Sequence, residues 1–444
     1  MKLVEGFSKW SKLEKINFLA DQLEQKKLQS PGNFSVLMQS FWHSDEEAQK
    51  IFDEFSENTI TNFYFPYGVV PNFLLNGKLY CVPMVIEESS VVAACSKSAK
   101  YWRERGGFHA RVIDTEKVGQ VHFYWQGHPQ KLQDFFVAKR GELMAFITPL
   151  ASNMQARGGG IKSVSLIDKS ADDPGLFQLF VTFETCDAMG ANFINSILEA
   201  IAQRWKEMVM ESEDFGGSEK DVSVIMSILS NFTPNCRVRV EVQCPVDQLD
   251  DGTMGMTGQE FAFKFSKAIK IAELDVYRAT THNKGIFNGI DAVVVATGND
   301  FRAVEACGHA FASSSGQYRS LSHCTISENI FRYWLEIPMA LGTVGGLTGL
   351  HPLAQVSLDL LHQPNAGELM QVAASVGLAQ NFAALRSLVT TGIQRGHMRM
   401  HLMNILNHLE ANLDERELAK THFADRVVSF KAVRELLASL RNYQ

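Results

Sequence analysis

Near the middle of this 444-residue chain, from about residue 112 to 221, the spacing of apolar residues switches between two and 3.6, and few architectures accept that alternation. Val121, Phe123 and Trp125 alternate with His122 and Tyr124 as in a half-buried strand, and a helical stretch follows from Leu132 to Leu150. Gly158-Gly-Gly160 breaks the chain; residues 161–167 and 176–185 then read as two strands, and Phe193 to Met210 as a helix with Ile194, Ile197, Leu198 and Ile201 on one face. Strand, helix, strand, strand, helix makes a small α+β domain of about a hundred residues, inserted into a larger one. The Glu-, Asp-, Gly- and Ser-rich segment 211–221 is its expected exit linker.

Outside the insert, Trp10, Leu13, Ile16, Leu19, Ala20 and Leu23 predict an amphipathic helix over 9–24. Residues 63–85 read as loops and a hairpin turning at Asn76-Gly77. A helix behind the capping pair Ser89-Ser90 ends at Gly106-Gly107. Residues 222–390 mix β-branched runs with Ala-rich helices, and 391–444 are helical with a stripe of Val427, Phe430, Val433, Leu437 and Leu440. The Gly-x-Gly-x-x-Gly fingerprint of a dinucleotide-binding strand–helix turn is missing, which argues against a Rossmann dehydrogenase.

The 42 basic and 49 acidic residues leave a formal charge of −7, and no long basic run points to nucleic acid or an anionic membrane as partner. No apolar stretch of signal-peptide or membrane-spanning length is evident, so a cytoplasmic protein is expected. Seven scattered cysteines without a Cys-x-x-Cys pair fit reduced thiols rather than disulfides or structural zinc.

Four segments concentrate chemistry. Tyr277-Arg-Ala-Thr-Thr-His-Asn-Lys-Gly-Ile-Phe-Asn-Gly-Ile-Asp291, followed by Asp300, sets Arg278, Lys284 and Asn288 among apolar runs; glycines beside a lysine suggest close backbone approach, and a capped turn with solvated charges is the plainer alternative. Glu87-Glu88 follows an apolar strand and precedes a helix, where a carboxylate either serves as an acid or favours the helix dipole. Asp187-Ala-Met-Gly-Ala-Asn192 offers a Gly190 turn and a helix N-terminus to a phosphate, or is an Asp-capped turn. His397 and His401 stand at ligand spacing, but no third ligand is apparent, so a mobile acid/base histidine is the better reading and no metal is expected.

Together with Glu57-Asn-Thr-Ile-Thr, Phe65-Pro-Tyr-Gly-Val, Leu229-Ser-Asn, Gly342-Thr-Val-Gly-Gly-Leu-Thr, His351-Pro-Leu-Ala-Gln and Val376-Gly-Leu-Ala-Gln-Asn, these segments resemble the class II, soluble bacterial family of 3-hydroxy-3-methylglutaryl-coenzyme A (HMG-CoA) reductases. The likeness spans about residues 50–405. It implies an α+β protein: a large substrate-binding and dimerisation domain (1–111 and 222–390), a small ferredoxin-like nicotinamide-cofactor domain (112–221) and a C-terminal helical flap (391–444). It also implies a homodimer, alone or in a larger assembly of dimers, with the active site between subunits, and interconversion of HMG-CoA with mevalonate and CoA through mevaldyl-CoA and mevaldehyde. An acyl-CoA-binding homologue without catalysis is the alternative.

Carried over by motif, the resemblance implies that Lys284 stabilises the oxyanion formed by hydride addition, that Asp300 couples Lys284 to the acid, that Glu88 protonates the aldehyde, and that His397 protonates the departing thiolate. It implies that Arg278 pairs with the substrate carboxylate, that Ser90, Asn231, Asn288 and Gln380 lie near substrate, and that Asp187, Met189, Gly190, Asn192, Gly345 and Gly346 line the cofactor. The well-studied NADH-using form carries an acid seven positions before its Gly-Gly-Gly turn; here that position is Ala151, with Ser152 beside it and Arg157 and Lys162 nearby. Loss of the acid favours NADPH, with NADH as the second choice.

Overall fold

The computed structural model describes residues 3–25, 33–390, 392, 402–403, 405–423, 426 and 428–441. One compact unit comprises Met1–Pro66 with Leu350–Pro352. Its helices are α1 (Lys12–Gln25), α2 (Phe34–Ser40) and α3 (Glu46–Glu54). Asn33 and Asp45 cap α2 and α3 through their side chains, and Lys12 reaches from α1 to Asp53 on α3 at 2.6 Å. Trp10 precedes α1 rather than belonging to it, set edge-on against Phe18.

The second unit, Tyr67–Gly349 with Leu353–Gln444, holds everything that follows except residues 350–352. β1 (Tyr67–Leu75) and β2 (Lys78–Val85) form the expected hairpin, with Asn76 (φ 50°) and Gly77 (φ 77°) both left-handed as a tight turn requires. Next come α4 (Val91–Arg103) and β3 (His109–Asp114). Gly107 (φ 81°) closes α4, and a Cβ there would stand 2.7 Å from the Leu74 carbonyl oxygen.

The inserted block supplies β4 (Lys117–Trp125), α5 (Pro129–Ile147), α6 (Ser152–Gln155), β5 (Gly160–Asp168), β6 (Leu176–Glu184), α7 (Ala191–Glu211) and β7 (Val222–Leu229). Its sheet runs β5-β6-β4-β7, antiparallel throughout, the strand order of a ferredoxin-like fold. Trp125, Phe177, Phe183, Ile197 and Trp205 fill a core of its own. The fourth strand lies beyond the linker expected to end at 221: Val222 and Val224 pack into this core, which holds β7 to the insert's sheet. β3, by contrast, pairs with the other sheet, so residues 112–114 do not open the insert.

The remaining elements are β8 (Arg237–Pro245), α8 (Gly258–Leu274), α9 (Val276–Ala296), α10 (Phe301–Ala312), β9 (Ser322–Ser327), β10 (Ile330–Pro338), α11 (Leu347–Leu350), α12 (Pro352–Leu360) and α13 (Ala366–Val389). A four-stranded antiparallel sheet, β3-β8-β10-β9, shares one large core with α4, α8, α9 and α13. The polar segment with its glycine-flanked lysine is neither loop nor capped turn but part of the 21-residue α9. Its Gly289 serves helix packing: a Cβ there would come within 2.7 Å of the Val376 carbonyl oxygen on α13. α13 is long and apolar enough to cross a membrane, but two thirds of its most apolar window is buried, as befits a core helix. Helices Leu413–His422 and Phe430–Arg441 follow, with Val433 and Leu437 buried as the terminal stripe predicts; Val427 lies outside the described residues.

Candidate active site

α9 presents Lys284 and Asn288 one turn apart on the same face. Both reach Glu88, which follows β2: Lys284 Nζ donates to Glu88 Oε2 at 2.8 Å and Asn288 Nδ2 to the same oxygen at 3.4 Å. The pair stays open to solvent, with the lysine side chain 61% and the glutamate 39% exposed, so a substrate can enter it. Glu87 and Glu88 lie in a bend after β2 rather than on the strand, Glu87 exposed and Glu88 half-buried. Ser90 begins α4 in the left-handed region (φ 81°) and gives no side-chain cap, contrary to the capping expected of it. A non-glycine residue held there costs of order 1–3 kcal/mol, and such strain concentrates at functional sites. Gln380 on α13 packs against α9 at Gly289, and its buried Oε1 has no hydrogen-bond partner among the described residues.

Asp300 is placed differently from the expectation that it links the acid to the lysine. It caps α10, accepting from the Arg302 and Ala303 amides at 3.0 and 3.3 Å and from the Arg302 side chain at 3.1 and 3.2 Å. Partial burial pushes its carboxyl upward, but the Arg302 guanidinium and those amides outweigh this and hold it below the usual carboxylate range. A cap satisfied two residues away has no need of Lys284, and no hydrogen bond joins them among the described residues. Arg278, six residues before Lys284, stands about 120° around α9 from it. Half-buried and without a side-chain partner among the described residues, it has its pKa lowered by desolvation.

A second group gathers at the insert's edge. Gly190 (φ 90°) begins α7 with no side-chain cap, leaving the helix's first N–H groups open. Asp187 is not the cap of that turn; its Oδ1 accepts from Ala366 N, at the start of α13, and its carbonyl from Thr343 N, each at 2.8 Å. A bridge between Ala188 and Val344 brings Gly345 (φ 79°) and Gly346 (φ 56°) alongside, with nothing among the described residues within 4 Å of the Cβ either lacks. Met189 and Asn231 line a small cavity between this turn and α10.

A hydroxymethylglutaryl-coenzyme A reductase family model matches residues 15–402. The chain belongs to that family. It is 35% identical to the 3-hydroxy-3-methylglutaryl-coenzyme A reductase of Archaeoglobus fulgidus over 413 residues, 90% of each protein. It is 32% identical to the probable enzyme of Borreliella burgdorferi over 421 residues, 94% of this chain and 92% of that protein. The reductase from Streptococcus pneumoniae superposes with a TM-score of 0.71 at 36% identity, covering 98% of this chain and 99% of that one. The class II enzyme of the same organism, solved bound to NADPH in open conformations, matches at a TM-score of 0.70 and 38% identity over 87% of this chain and 99% of that one. This chain is thus a class II HMG-CoA reductase, an oxidoreductase of mevalonate metabolism.

In this reductase Lys162 is not a free charge: Glu116 and Asp114 take its ammonium at 3.0 and 3.8 Å, and the Glu116 hydrogen bond raises its pKa. Arg157 is exposed, with no side-chain partner among the described residues, while Ala151 is buried. His397 lies outside the described residues. Sequence reasoning passed over Lys117, whose buried ammonium adjoins the Asp187–Asn192 turn; its only signal was a lysine heading a strand that is otherwise apolar on alternate positions.

Proposed function

We propose that the reductase transforms its substrate beside Glu88 and Lys284, and the observation that carries this is their 2.8 Å contact across 196 residues of chain. A nicotinamide cofactor fits the uncapped start of α7 and the open Gly345-Gly346 turn. Bound there, it supplies the hydride for each of two reductions. Hydride addition to the thioester leaves an oxyanion, which Lys284 protonates to give the mevaldyl-CoA hemithioacetal. Lys284 takes that hydroxyl proton back as the C–S bond breaks, His397 protonates the thiolate, and mevaldehyde remains. Glu88 then gives its proton to the aldehyde oxygen as the second hydride arrives. One HMG-CoA, two reduced cofactors and two protons become mevalonate, CoA and two oxidised cofactors.

Arg278 pairs with the substrate's free carboxylate, for which a half-buried guanidinium with no side-chain partner among the described residues is suited. Within one chain Asp300 makes no hydrogen bond to Lys284 among the described residues and Arg278 lies off the Lys284 face of α9, which supports a homodimer whose second copy completes each site, alone or in a larger assembly. NADPH is the preferred cofactor: buried Ala151 offers a ribose no carboxylate, and Arg157 remains available to a 2′-phosphate.

Mixing the protein with HMG-CoA and NADPH tests the reading. Two NADPH consumed per HMG-CoA is expected, and no substrate-dependent oxidation would leave the inactive homologue standing. A kcat/KM at least about tenfold higher for NADH, some 1.4 kcal/mol, would overturn the cofactor preference.

A further inference from the structure

Lys117 heads β4 and is only 3% exposed, yet its ammonium has no acidic partner among the described residues. Burying an ammonium without a counter-charge is costly, so the position must return more than packing. Its Nζ donates to Thr185 Oγ1 and, at 3.3 Å, to the Ala188 carbonyl oxygen. Thr185, fully buried, donates its own hydroxyl hydrogen to that same carbonyl at 2.6 Å. Lysine and threonine therefore hold a single backbone oxygen together.

That oxygen belongs to the turn 187–192. Thr185 also forms the wall behind the turn, since a Cβ on Gly190 would come within 2.5 Å of Thr185 Cγ2. On the other side the turn is pinned at Asp187 by Thr343 and Ala366. Lys117 further lines, with Met189, Asn231 and Thr233, a cavity of about 20 Å3, room for roughly one water.

We propose that Lys117 is a positioning residue for the nicotinamide cofactor: by gripping the Ala188 carbonyl with Thr185 it fixes the Asp187–Asn192 turn and so sets cofactor affinity. This rests on that turn being the cofactor site. Lys117→Met and Thr185→Val each remove one grip, while Lys117→Arg and Thr185→Ser retain a donor or a hydroxyl.

The test is NADPH binding, followed by fluorescence without HMG-CoA, together with steady-state kinetics and a thermal melt. Losing a hydrogen bond made by a buried charge is expected to raise the NADPH Kd and KM of Lys117→Met at least about tenfold, with kcat and the HMG-CoA KM within about twofold. Thr185→Val moves the same way, and Lys117→Arg and Thr185→Ser recover part of the loss. A cooperatively folded Lys117→Met with unaltered NADPH affinity, or with both KM values raised alike, overturns the proposal. If Lys117→Met does not fold, Thr185→Val decides by the same criteria. Wild-type protein that binds no NADPH overturns the cofactor reading itself, whereas wild-type binding with an unmoved variant overturns only the role of Lys117.

Discussion

Glu88 and Asp300 are both carboxylates near the start of a helix answered by a base, yet they are built in opposite ways. Glu88 meets a lysine 196 residues along the chain, and the pair exists only because β2 and α9 pack together. Asp300 meets an arginine two residues on, together with amides of its own helix, an arrangement the local backbone makes unaided. The first contact is a product of the whole fold and leaves its groups accessible; the second spends the carboxylate on its own helix.

The sharpest break of this contrast would come from the two adjacent glutamates. Glu88→Gln is expected to lower thioester reduction by at least about 10²–10⁴-fold, the scale of a lost general acid, while exposed Glu87→Gln stays within about twofold. The reverse result in steady-state assays would transfer the site to the neighbouring carboxylate. Lys284→Ala should cost at least about 10² in kcat, with melting temperature and acyl-CoA binding largely kept. Near-normal turnover there would dissolve the long-range pair as a catalytic unit.

Asp300 is tested by splitting its two tasks. Asp300→Ala should lose about 1 kcal/mol in denaturant unfolding, because the α10 cap goes, whereas Asp300→Asn keeps a cap. A stable Asp300→Asn that turns over slowly would give the carboxylate chemical work beyond capping, as the dimeric reading expects; full activity would leave it a cap alone. The smallest effect is on acid stability. Asp300 has a folded pKa below its unfolded value, so its contribution is present above the unfolded pKa and fades as pH falls through the folded one. In Arg302→Ala the folded pKa rises toward the ordinary value, and the fading should begin at higher pH, with about 0.2–1 kcal/mol lost near neutrality. Urea midpoints across pH that match wild type would show the guanidinium contributes nothing.

The contrast also explains what could be read from the sequence. The ferredoxin-like block was legible because half-buried strands and one-faced helices write their periods into the chain, as Val121-x-Phe123-x-Trp125 and Ile194-x-x-Ile197-Leu198 do. α9 was not legible as a helix: Thr280, Thr281, Asn283, Gly285, Gly289 and Val293–Val295 all disfavour one locally, and packing against α13 overrides them. β7 escaped assignment to the insert because the pattern of a strand does not name its neighbour. The candidate residues stood out by motif, but that Asp300 caps its own helix and that Arg278 lies off the Lys284 face of α9 are matters of capping and helix azimuth, which spacing alone does not convey.

The insert leaves the large core at Lys117 and rejoins it after Leu229, and those two ends are neighbours: Gly119 faces Leu229 across β4 and β7, and Ser230 N donates to the Val118 carbonyl at 2.9 Å. A segment whose ends meet is a removable part. More than a hundred residues could be exchanged for a short connector, or for another small domain of matching span, without threading a strand through the remaining core. For a builder this makes β4–β7 a cassette with a ready-made socket, and for descent it describes how a second domain can enter an existing fold at one point, by a single splice.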